Sequence, residues 1–102
     1  MIVNLYSVKD TLVGFSVPFG SMSDEVALRQ FAATVRSPQP NFCNTFPENK
    51  ELYVIAQFDD QSGKVIIDDS LPRFLARASS YVLPAETPVN LVSKGGKEEN
   101  DV

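Results

Sequence analysis

No histidine and no tryptophan occur among the 102 residues, and there is a single cysteine. Without histidine the chain lacks the commonest general base at neutral pH, the imidazole of the nucleophilic triads and the ligand that most zinc sites use. Cys43 has no partner for an internal disulfide, so nothing ties the chain to an oxidising compartment, and it is expected as a small buried apolar residue. Long hydrophobic runs are missing too. No stretch approaches the ~18 apolar residues of a membrane span, and no charged-then-apolar leader is visible. The expected address is the cytoplasm, with no membrane partner. An excess of positive charge is also absent: the net charge is −4. That argues against a sequence-independent duplex binder, whose affinity comes largely from neutralising phosphates. It leaves room for a local basic patch or a groove lined with aromatic rings.

What is present suits one globular domain, with 43% hydrophobic and 22% charged residues. The organising stretch is Glu51–Ile67, ELYVIAQFDDQSGKVII. Leu52, Val54, Ala56 and Phe58 alternate with Tyr53, Ile55 and Gln57, which is the period of a strand. The first set is wholly apolar and is expected to face the core. Asp59 to Lys64 supplies turn chemistry, with Gly63 able to take positive φ, and Val65-Ile66-Ile67 returns as the partner strand. The pattern predicts a β-hairpin.

Upstream, Met1–Val8 reads as a strand, Lys9-Asp10 as a two-residue turn, and Thr11–Val17 as a second strand that Gly14 weakens. Ser23–Arg36 is predicted helical. Ser23 suits the N-cap, Asp24 and Glu25 place negative charge in the first turn, and Leu28, Phe31, Ala32 and Val35 make one apolar stripe. Pro38 ends it. Asn41–Lys50 is a loop carrying Phe42 and Phe46, and Leu71–Val82 fits either a short helix or an extended segment. The expectation is an α+β domain over residues 1–83, an antiparallel sheet in ββαββ order with one helix on one face. Residues 84–102 have two prolines, a Gly-Gly pair and an acidic end, and are expected as a flexible tail.

No catalytic, metal or cofactor signature emerges. Asp59-Asp60 and Asp68-Asp69 occupy turn positions that carboxylates favour for local hydrogen-bonding reasons, and Ser62-Gly63-Lys64 lacks the rest of a phosphate loop. Function is therefore sought in the second face of the sheet. Tyr53, Ile55 and Tyr6 are placed there, too apolar to be left open, and one helix covers only one face. A C-terminal segment, a second copy of the chain or a ligand must cover them. Aromatics on an open sheet are also what single-stranded nucleic acid stacks on. Arg29, Arg36, Arg73 and Arg77 are a candidate basic patch beside it, provided the helix and the C-terminal segment are neighbours.

In order along residues 2–83 the chain carries LYSVKD, a segment ending PFGS, the capped helix SDEVALRQF, FPENKELY, FDDQSGKV and LARASSYV. On these blocks it resembles the small nonstructural protein of gokushovirus-type microviruses, the phage open-reading-frame-five family. The resemblance implies a protein made by a single-stranded-DNA phage and kept out of the virion, of a kind described as DNA-binding or replication-associated. It brings no catalytic residues. The reading that follows is a non-enzymatic protein of phage genome replication or packaging in the host cytoplasm that binds single-stranded DNA. The alternative is a homodimeric interaction module engaging a phage or host protein.

Overall fold

A computed structural model describes residues 1–83 of the chain, so the tail expected at 84–102 lies outside the described residues. The fold is α+β: a curled antiparallel sheet with one helix against one face. Its centre is a pair of long strands, β1 (Ile2–Asp10) and β4 (Lys50–Asp59). Each carries two short strands on its outer edge. β2 (Gly14–Phe15) and β3 (Phe19–Ser21) pair with β1, while β5 (Val65–Ile66) and β6 (Arg73–Arg77) pair with β4. Helix α1 (Asp24–Val35) follows β3, so the order is βββαβββ, not the expected ββαββ.

The extra strands have local causes. The chain continues as β1 through Lys9 and Asp10, where a turn was expected, and it reverses at Thr11–Val13. The expected strand Thr11–Val17 is then split. The Ser16 hydroxyl accepts from the Val8 N–H at 3.1 Å, standing in for a ladder carbonyl, and Pro18 has no N–H to donate. Pairing resumes only at Phe19. Beyond the hairpin, Leu71–Val82 resolves as a strand, β6, followed by a 3-10 turn at Ala78–Tyr81. The strand joins the sheet without covering its second face, and the turn packs Ala78 and Tyr81 against the helix-side core.

The helix forms as its sequence dictates. Ser23 caps it by accepting from the Val26 N–H at 3.2 Å, and Asp24 and Glu25 lie in the first turn. Ala27, Phe31, Ala32 and Val35 are buried. The hairpin also closes as expected, with the Asp59 N–H donating to the Lys64 carbonyl at 2.9 Å and Gly63 at φ 75°.

Strand register decides which side chains share a face. Tyr6 pairs with Val54, and Val8 with Leu52; these four, with Ala27, Phe31, Val35, Cys43 and Ala78, form the core beneath the helix. Between Leu5↔Ala56 and Tyr6↔Val54 the register slips by one, leaving Ile55 as the extra residue of a bulge. Because Leu5 and Tyr6 lie on opposite faces, Ala56 and Phe58 join the face away from the helix. The four-residue core set expected in β4 is thus divided: Leu52 and Val54 face the helix, Ala56 and Phe58 do not.

Candidate nucleic-acid interface

Along β1, β4 and β6, the residues that alternate with the core define an open face. Lys9 lies opposite both Phe15 and Glu51, Glu51 opposite Arg77, and Ser7 opposite Tyr53, which pairs with Phe74. Phe15, Tyr53 and Phe74 therefore form a row of rings across the sheet. The Phe15 and Tyr53 centroids are 5.5 Å apart at 67°, and those of Tyr53 and Phe74 are 5.7 Å apart at 77°. The outer rings are 48% and 50% exposed, while Tyr53 between them is half-buried. Faces and edges alternate along the row, the geometry aromatic rings favour among themselves.

Charge is placed around the rings. Lys9 Nζ sits 5.6 Å from the Phe15 centroid and 6.0 Å from that of Tyr53, within cation–π range. Arg77 donates from Nη2 to Glu51 Oε2 at 2.7 Å, and the Tyr53 hydroxyl donates to Glu51 Oε1 at 3.0 Å. The guanidinium and phenol hold the buried Glu51 carboxyl below the usual carboxylate range. Glu51 thereby fixes Arg77 and Tyr53 in place, and the guanidinium keeps further N–H groups for a ligand.

Of the residues singled out from sequence, the structure brings only Tyr53 and Arg77 together on the open face, while Tyr6 and Arg73 meet on Asp24 at the helix side. Tyr6 is not on the open face: it is 0% exposed, stacked on Phe19 at 5.8 Å, with its hydroxyl donating to Asp24 Oδ1 at 2.7 Å. Burial and that bond push its phenol up to about 12. Ile55 is the half-buried bulge residue and takes no part in the ring row. The four arginines form no patch. A second register slip, between Leu52 and Tyr53, leaves Leu75 unpaired in β6 and sends Arg73 and Arg77 to opposite faces. Arg73 pairs with Asp24 at 3.0 Å in the first turn of α1, and Arg36 donates to the Tyr81 carbonyl at 3.0 Å beyond the last turn. Arg29 is exposed on the helix.

Phe15, Phe74 and Lys9 were missed. No local pattern marked the face of Phe74, which is set by the register slip at Leu75, and reading Lys9 as turn hid its place beside Tyr53. Cys43 is buried as expected, and burial pushes its thiol up. It lines a groove of about 240 Å³ with Val8, Phe19 and Phe31, on the helix side of the sheet.

Fold and face together define a small sheet-platform protein, with one side closed by a helix and the other presenting aromatic rings edged by cations. Its family is equally plain: residues 3–81 match the model of the Phage ORF5 protein family, and the chain belongs to that family. No curated protein and no solved structure matches it.

Proposed function

We propose that this phage protein is a non-catalytic binder of single-stranded DNA, acting in genome replication or packaging in the host cytoplasm. The observation that carries the reading is the row Phe15–Tyr53–Phe74 on a sheet face that no other element among the described residues covers, with Lys9 over two of its rings. Unpaired bases offer their π-faces to such rings, and each stacked base contributes about 1–3 kcal/mol. Duplex bases are already stacked on one another and offer no such face. The reading also accommodates the acidic net charge of −4, because the affinity rests on stacking more than on phosphate neutralisation.

Two cations edge the rings, Lys9 and Arg77. If each neutralises one phosphate, the slope of log affinity against log salt is about −1.4, from roughly −0.7 per phosphate on single strands. Anisotropy titrations of a labelled single-stranded oligonucleotide across a salt series measure it. A shallow slope and weaker binding to the matching duplex are expected. No binding at low salt, or equal binding to duplex, would overturn the reading.

A second reading, a module for a phage or host protein, draws on the loop 41–49. There Phe42 and Phe46 are exposed, and Phe46 is held at φ 53°, ψ 60°, a left-handed backbone rare for an aromatic residue. Phe46→Ala leaves DNA binding unchanged on the first reading and abolishes partner capture on the second.

A further inference from the structure

The outer edge of β5 is an exposed apolar strand edge. Val65, Ile66 and Ile67 are consecutive β-branched residues, and all three are exposed, Val65 at 56% and Ile67 at 73%. On its inner side β5 pairs with β4 through Gln57↔Ile66 and Phe58↔Val65; among the described residues no strand pairs with its outer side. Strand edges in monomeric proteins are usually blunted by shortness, charge, proline or a bulge; β5 is two residues long, but the apolar run continues through Ile67. Here the charges stand outside the apolar run, Lys64 at one end and Asp68 at the other.

Ladder alternation states which groups are on offer. Asp59 N–H donates to the Lys64 carbonyl, so Asp59 and Lys64 are a hydrogen-bonded pair, Phe58 and Val65 a non-hydrogen-bonded pair, and Gln57 and Ile66 again a bonded one. The backbone N–H and C=O of Val65 therefore point outward, and continuing the extended chain one residue past β5 gives those of Ile67 the same direction. A partner strand must meet both.

The geometry points to a second copy of this chain as that partner, docked by antiparallel pairing of β5 with itself about a two-fold axis at Ile66. In this register Val65 meets Ile67 of the other copy twice, using all the outward groups. Ile66 faces its own counterpart in a non-hydrogen-bonded pair, where side chains approach most closely. Lys64 of each copy falls opposite Asp68 of the other, so one symmetric register satisfies apolar, backbone and charged groups together. The Ser70 hydroxyl and its N–H, the latter at 2.8 Å, both donate to Asp68 Oδ1 and leave Oδ2 for the lysine. Self-complementarity of this kind is what an isologous interface requires. The axis stands perpendicular to the sheet, so the open faces of both copies lie on one side.

Sedimentation equilibrium without DNA tests the pairing apart from any DNA reading. The wild-type chain is expected to show a monomer–dimer equilibrium. Lys64→Glu sets Glu against Asp68 at both ends and is expected to weaken it about tenfold, from two exposed pairs turned from attraction to repulsion; adding Asp68→Lys is expected to restore it. Val65→Pro removes an outward N–H without touching the β4 ladder and is expected to leave monomer. Ile66→Cys in a Cys43→Ser background is expected to form a disulfide-linked dimer on oxidation, since facing residues in such a pair have Cα atoms about 4.5 Å apart. A wild-type chain that stays monomeric at high concentration overturns the proposal. So does a dimer that Val65→Pro leaves intact, or a Lys64→Glu defect that Asp68→Lys fails to rescue.

Discussion

The two faces of one sheet share the long strands β1 and β4, yet they differ in almost every respect. On the helix side Tyr6, Val8, Leu52 and Val54 are buried, and the buried Tyr6 hydroxyl is satisfied by Asp24. On the other side Lys9, Phe15, Glu51, Tyr53, Phe74 and Arg77 lie beside Ser7, Ala56 and Phe58, with the outer rings half in water, charges around them and the small Ser7 and Ala56 buried between larger neighbours. Apolar content does not separate the faces, since both carry large rings. They differ in what covers them: among the described residues, only the helix side has a second layer. A sheet that spent its aromatics solely on stability would bury them under α1. Three of them lie instead on the side with no second layer among the described residues, in a row with matched spacing.

The largest expected effect falls on the covered face. Phe31→Ala removes the ring that packs α1 onto the sheet and against Tyr81, at 6.0 Å between centroids. It is expected to cost about 3–5 kcal/mol by thermal or urea unfolding. Phe74→Ala, on the half-exposed ring, is expected to cost far less, and equal losses would erase the distinction between the faces.

Next comes binding. Tyr53→Ala is expected to weaken single-stranded DNA five- to a hundred-fold, from the roughly 1–3 kcal/mol of one stacked base. Tyr6→Phe, on the other face, should leave binding unchanged. The reverse pattern would put the interface on the helix side.

The smallest effect sharpens the contrast by pH. The Tyr6 phenol is raised from 10.0 to about 12, chiefly by burial and then by its bond to Asp24. Its folded value lies above its unfolded one, so the stability it contributes is complete below pH 10 and lost as pH rises toward 12. Wild type is expected to destabilise across that window more steeply than Tyr6→Phe, which itself loses roughly 1.5 kcal/mol at neutral pH with the hydrogen bond. Identical alkaline limbs would mean that Tyr6 does not titrate as a buried group.

Local signals carried the helix and the hairpin. Ser23, the acidic first turn and the Phe31 stripe are all readable within a few residues, as is Gly63 at its turn. Faces are a different matter, because they depend on register across strands far apart in sequence. Period-two alternation in β4 is correct up to Val54 and inverted from Ala56 onward, since one bulge at Ile55 moves every later side chain to the other face. Tyr6 was placed with Tyr53 for want of a register, and pairing with Val54 puts it under the helix. Arg73 and Arg77 are separated by a second bulge that no local pattern marks. Of the candidate site, Tyr53, Arg77 and the principle of an aromatic open face were legible. Its neighbours Phe15 and Phe74 were not, because they come from short edge strands that exist only by pairing with β1 and β4.

The central claim is that the open face, and not the helix side, meets single-stranded DNA. Chemical-shift mapping of the labelled protein on titration with a short single-stranded oligonucleotide tests it residue by residue. The account predicts that Lys9, Phe15, Tyr53, Phe74 and Arg77 move with one saturating curve, while Val8, Phe31, Leu52 and Val54 stay in place. Shifts centred on α1, or none at any oligonucleotide concentration, would contradict it.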